Sequence, residues 1–122
     1  MARRTPSEVE DHRGLFSGLA DPVRIRLLNL LAAGELCVCD LTGILGFPQS
    51  SVSRHLAYLR RAGLVETEQK GKFAYYRLSK PRNTVHRSVL TCVRSAFPDT
   101  PLLERERGRA TARVRHRALE PC

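Results

Sequence analysis

No apolar run in this 122-residue sequence approaches the ~20 residues that a membrane-spanning helix needs. The opening stretch, MARRTPSEVEDH, is basic, but no apolar segment follows it, so no secretory signal is visible. Both absences point to the cytoplasm. No glycine-rich phosphate-cradling loop or paired acid and base is present, which argues against an enzyme. Acidic residues are scarce as well: 12 Asp and Glu stand against 21 Lys and Arg, for a net charge of +9. Such a surplus points to a polyanionic partner, nucleic acid first, with an aid to solubility as the plainer alternative. A membrane surface would call for an apolar anchor or a basic amphipathic helix. Only four cysteines occur, Cys37, Cys39, Cys92 and Cys122. In a reducing compartment, closely spaced cysteines suggest metal binding or redox sensing rather than a disulfide framework.

What is present suits one compact domain over residues 1–97, followed by a basic tail over 98–122. A chain of this size buries about two-thirds of its unfolded surface, enough for a core without staples. Thr5-Pro6-Ser7-Glu8 predicts a helix start with Thr5 as cap, and Asp21-Pro22 repeats the signal. The run Val23, Ile25, Leu27, Leu28, Leu30 and Leu31 is too apolar for a surface helix and predicts a central one, with Arg24 and Arg26 solvated. Cys37-Val38-Cys39-Asp40 opens a third helix in a capping-box-like pattern, with a thiol where Ser or Thr is usual; Gly46 ends it. Phe47-Pro48 makes a turn into a fourth helix, from about Gln49 to Arg61. Residues Leu64 to Gln69 and Phe73 to Ser79, joined through Lys70-Gly71-Lys72, read as a β-hairpin.

Helix, helix, helix-turn-helix, hairpin is a winged-helix order, mainly α with a small β-hairpin. After Pro81-Arg82-Asn83 comes a further helix bearing Val85, Val89, Leu90, Cys92, Val93, Ala96 and Phe97. A peripheral stripe this apolar predicts a homodimer paired through terminal helices. The segment from Pro98, arginine-rich and broken by Gly108, reads as a mobile or partly helical tail, an extra phosphate contact or a solvated end.

At 3.6 residues per turn, Val52, Leu56 and Leu59 of the fourth helix share its inner side. Ser50, Arg54, Ala57 and Arg61 then lie opposite, flanked by Ser53. Small serines let the backbone approach a groove, and Gln49 and Arg54 have the geometry to read base edges or phosphates. Lys70 and Lys72 at the wing tip are placed to grip phosphates or a minor groove. His55 borders the inner side, in a packing, hydrogen-bonding or DNA-contacting role.

Cys37 and Cys39 would point about 200° apart in a regular helix. At a helix start they converge if the first turn distorts, and that distortion would be the switch. Thiolates select soft ions, and a helix N-terminus favours the thiolate. Zinc would want four ligands, which this spacing does not supply, so a three-coordinate thiophile fits better.

ELCVCDL followed by SRHLAYLRRAGLV, with LADPVRIRLLNLL before and GKFAYYRLS after, resembles the ArsR family of arsenic-responsive winged-helix repressors, over roughly Leu15 to Ser79. The resemblance implies a homodimer that represses arsenic-resistance genes from a short inverted-repeat operator and is released by As(III) or Sb(III). By matching positions, Cys37 and Cys39 would be ligands, and Gln49 to Arg54, Ser51 included, would read the operator. The arsenite branch carries a third cysteine after the pair, where this chain has Thr42. Cys92, Cys122, a small thiol or water are left to complete the site. The Asp and His sites of sister branches find no match here, and His86 alone does not make one. A redox-sensing or other soft-metal-sensing repressor of the same fold is the alternative. An arsenate-reducing enzyme and a metal buffer without a DNA role are the readings from other classes.

Overall fold

A computed structural model describes residues 7–119. The Thr5-Pro6 start signal and Cys122 lie outside the described residues. Helix α1 (Ser7–Gly18) leads into α2 (Pro22–Leu31), whose cap is Asp21: its Oδ2 accepts the N–H groups of Val23 at 2.9 Å and Arg24 at 3.1 Å. Leu27, Leu28, Leu30 and Leu31 are all buried, so α2 is the central helix that its composition predicted. Arg24 and Arg26 are not solvated as expected. The Arg24 guanidinium lies 3.9 Å from the Tyr58 ring centroid and donates to the carbonyls of Ser17 and Gly18, while Arg26 pairs with Glu106.

Helix α3 (Val38–Leu45) stops at Gly46, which takes the left-handed conformation (φ +76°) that favours glycine. The turn through Phe47 and Pro48 sets α4 (Gln49–Arg61) against α3, with Val52, Leu56 and Leu59 sealed in the core. Strands β2 (Val65–Lys70) and β3 (Phe73–Leu78) form the antiparallel wing, Val65 opposite Leu78 and Lys70 opposite Phe73. A short β1 (Leu36–Cys37), absent from the sequence reading, pairs with β3, Leu36 opposite Tyr76 and Cys37 opposite Tyr75. The sheet order is β1-β3-β2. The architecture is a winged helix-turn-helix.

Asn83 caps α5 (Thr84–Ser95), which buries Val89, Leu90 and Val93 but leaves Cys92 exposed. A single 3-10 turn (Phe97–Asp99) then leads to α6 (Pro101–Leu119). The arginine-rich segment is thus a 19-residue helix that packs on α2, α3 and β1. Leu103, Glu106 and Ala110 are buried beneath it. Asn29, fully buried in α2, donates to the Leu103 carbonyl at 2.8 Å, and its own backbone carbonyl accepts from Arg107 Nε at 2.6 Å. Arg107 also reaches the Val93 carbonyl near the end of α5 at 2.9 Å. These bonds satisfy buried polar groups that would otherwise oppose docking.

Candidate functional site: a thiol pair between helix α4 and the wing

Cys37 is the cap residue of α3 and a strand residue at once: its backbone is extended (φ −86°, ψ 164°), and it pairs with Tyr75. Cys39 lies in the first turn of α3, exposed, whereas Cys37 is buried. Because Cys37 is not helical, the two side chains converge while α3 stays regular from Val38 onward. The expected distortion of the first turn is not required for the sulfurs to meet. In this structure they are joined as a disulfide. Together with a carboxylate oxygen of Asp40, the sulfurs form a group whose members all lie within 4.8 Å of one another. Among the described residues Cys92 is not part of that group, and it sits on the exposed side of α5.

Behind the pair, Asp40 is buried and heavily engaged. Its Oδ2 accepts the Cys37 backbone N–H at 3.3 Å, lies 3.3 Å from Cys37 Sγ, and is bound by Arg117 of α6. Its Oδ1 accepts from Arg113 at 3.1 Å. Arg117 also lies 3.7 Å from Cys37 Sγ through Nη2, with its guanidinium 5.0 Å from the Tyr75 ring centroid. Helix α6 therefore backs the thiol site, a contact for which the arginine-rich sequence gave no pattern beyond its charge.

In front of the pair a cleft of about 420 Å³ opens, lined by Cys37, Cys39, Thr42, Gln49, Lys72 and Phe73 among others. It places the first residue of α4 and the wing tip beside the sulfurs. Thr42 stands at the mouth, its hydroxyl donating to the Cys39 carbonyl at 3.0 Å.

The α4 residues expected to read DNA differ in exposure along the helix. Gln49, Ser50 and Arg54 are exposed, and Ser51 and Ser53 are half-buried. Arg61, exposed near the end of α4, lies 5.8 Å from the Tyr58 ring centroid and lines a pocket with Arg13 and Ser17 of α1. His55 Nδ1 lies 3.7 Å from Asp21 Oδ2, which places it at the start of α2. At the wing, Lys70 is tied to Glu35 at 2.6 Å, whereas Lys72 is exposed. Glu35 also receives Arg77 at 3.0 Å. Burial works to raise the Glu35 carboxyl, yet the hydrogen bonds from Lys70 and Arg77 hold it below the ordinary range. This carboxylate thus joins the segment before Cys37 to both wing strands. His86 is fully buried between Ser79 Oγ at 2.9 Å and the Arg82 N–H at 3.1 Å; burial, then the charge of Arg82, lowers its pKa. It is a structural histidine.

Residues 21–67 match the family model described as "Bacterial regulatory protein, arsR family". The chain belongs to the ArsR family. Within it, the arsenic resistance transcriptional regulator ArsR1 of Pseudomonas putida is 51% identical over 65 residues, which is 52% of this chain and 51% of that protein. The arsenical resistance operon repressor of Escherichia coli is 50% identical over 66 residues, 53% of this chain and 56% of that protein. The chain thus spans about half the length of these two curated relatives. HlyU from Vibrio cholerae superposes with a TM-score of 0.61 at 32% identity, covering 70% of this chain and 90% of HlyU. The family is one of regulators, and no helix among the described residues is long and apolar enough to cross a membrane.

Proposed function

We propose that this ArsR-family chain is a cytoplasmic repressor of arsenic-resistance genes. It binds a short inverted-repeat operator as a homodimer and lets go when As(III) or Sb(III) is captured by Cys37 and Cys39. The observation that carries the reading is the cleft in which the thiol pair meets both Gln49 of α4 and Lys72 of the wing. Gln49, Ser50, Ser51, Ser53 and Arg54 face the major groove, and Lys72 meets a phosphate. Lys70 plays a lesser part, since it is committed to Glu35, and Arg61 stands at the far end of α4 from Gln49. The exposed Val9 and Phe16 of α1 supply apolar surface for the second copy.

Capture exchanges oxygen for sulfur without redox change. Two cysteine thiols displace two hydroxyls of As(OH)3 as two waters, leaving a bis-thiolate arsenic that retains one hydroxyl. A sulfur from Cys122, outside the described residues, would displace that hydroxyl in turn. The occupant enters the cleft between α4 and the wing, and Cys37 is hydrogen-bonded into the sheet through β3. Capture therefore shifts the two groove-seeking elements relative to each other, and α3 need not unwind.

The test is arsenite titration of the reduced protein, with arsenic X-ray absorption counting sulfur neighbours. One arsenic per chain with at least two sulfurs is expected, and its loss in both Cys37→Ser and Cys39→Ser. Arsenic bound without either sulfur would refute the reading. The disulfide favours a second reading, a redox switch in which a peroxide oxidises the two thiols to the disulfide and is reduced to water or an alcohol. Separate titrations of the reduced protein–DNA complex with arsenite and with peroxide discriminate between the two.

A further inference from the structure

We infer that Arg113 and Arg117 determine which guests the thiol pair accepts: by holding Asp40, they leave a site for neutral trivalent hydroxides and close it to divalent cations. The inference rests on the thiol pair being the guest site.

Three donors converge at the start of α3, two sulfurs and the Asp40 carboxylate, all within 4.8 Å. On donor type alone, that set suits a divalent cation such as cadmium or zinc, which needs more ligands than two sulfurs. Asp40 is not available to one. Arg113 occupies Oδ1, and Arg117 together with the Cys37 backbone N–H occupies Oδ2. Turning the carboxylate toward a metal would break both ion pairs and leave the Arg117 guanidinium, whose Nη2 is 3.7 Å from Cys37 Sγ, without its counter-charge. The Arg117 side chain is 19% exposed and that of Asp40 7%, so water compensates little for that pair, Arg113 at 45% being the more exposed partner.

A trivalent arsenic or antimony hydroxide has no such need. It enters neutral, exchanges two hydroxyls for the two sulfurs with loss of two waters, and fills its third position with the last hydroxyl or with a further sulfur that displaces it. The product is neutral and leaves Asp40 with its arginines. Among the described residues, no further His, Cys, Asp or Glu joins the two sulfurs and Asp40. Both arginines lie in the last turns of α6, outside the segment 21–67 that matches the family model.

The test is titration of the full-length reduced protein with cadmium(II) and with arsenite, following sulfur-to-metal charge-transfer absorption, for the parent and for Arg113→Ala/Arg117→Ala. The double variant should bind cadmium about tenfold or more tightly, the scale of a charge-assisted hydrogen bond released. Its arsenite affinity should stay within about threefold, well below one such bond. Adding Asp40→Asn should return cadmium affinity to the parental value, and Arg113→Lys/Arg117→Lys should restore the exclusion; circular dichroism verifies that each variant folds. Unchanged cadmium affinity in the double variant overturns the inference, as does an equal gain for arsenite. So does a loss of cadmium binding on Asp40→Asn in the parent, because Asp40 would then already be a ligand. Failure of arsenite to bind the parent at all would instead refute the proposed function, whatever cadmium does.

Discussion

Replacing Arg26 with alanine tests whether α6 is held on α2 as described. Arg26 grips Glu106 in two bonds, Nε to Oε1 at 3.1 Å and Nη2 to Oε2, and Glu106 is only 4% exposed. Removing one partner of a buried pair costs about 3–5 kcal/mol, because the surviving charge is left without compensation. The Arg26 side chain is 25% exposed, so water reaches part of the vacated space and the expected cost falls to about 2–3 kcal/mol. Urea unfolding followed by far-UV circular dichroism measures it, as a fall in the midpoint with the slope unchanged. Arg26→Met combined with Glu106→Leu removes both charges and should be near neutral, so the coupling energy of that cycle should approach the sum of the two single-variant losses. A cost below about 0.5 kcal/mol for Arg26→Ala, the level of an ordinary surface substitution, would refute the docking and with it the α6 contacts at the thiol site.

Arg54→Ala should weaken specific operator binding by about 1–3 kcal/mol and relax preference at one base position, read by competition anisotropy against mutated operators. Lys72→Ala should lower the salt slope of DNA binding by about one, while Lys70→Ala should lower it less, its charge being committed to Glu35. His86 has a folded pKa below its ordinary 6.5, so the unfolded chain binds the extra proton first. Stability is therefore full above that value and declines as pH falls through it, by up to about 1.4 kcal/mol per pH unit. Urea midpoints across roughly pH 5 to 8 should show that decline in the parent and a weaker one in His86→Gln.

Much of this molecule was legible because local signals agreed. Asp21-Pro22, Gly46 and the Val52, Leu56, Leu59 spacing each named the element that formed. Two parts were not legible, for different physical reasons. Strand β1 is two residues long, too short for a period, and exists only because β3 offers an open edge to Leu36 and Cys37. Helix α6 was read as a tail because its inner stripe, Leu103, Glu106 and Ala110 buried and Val114 half-buried, contains a glutamate and an alanine where larger apolar side chains are expected. Its docking is polar, through Arg107, Arg113 and Arg117, and arginines that clasp buried acceptors look the same in sequence as solvated ones. The solvated reading of Arg24 and Arg26 failed on the same ground. The thiol pair was legible as a pair, but its convergence depended on Cys37 being a strand residue, which only the tertiary fold decides.

The most direct measurement follows the anisotropy of a labelled inverted-repeat operator bound by the reduced protein as arsenite is added, then as a competing dithiol withdraws it. Release and recapture are expected for the parent, with Cys37→Ser and Cys39→Ser holding the operator throughout. An operator complex that survives arsenite in the parent, or one that dissociates equally in both serine variants, would contradict a switch built on these two sulfurs.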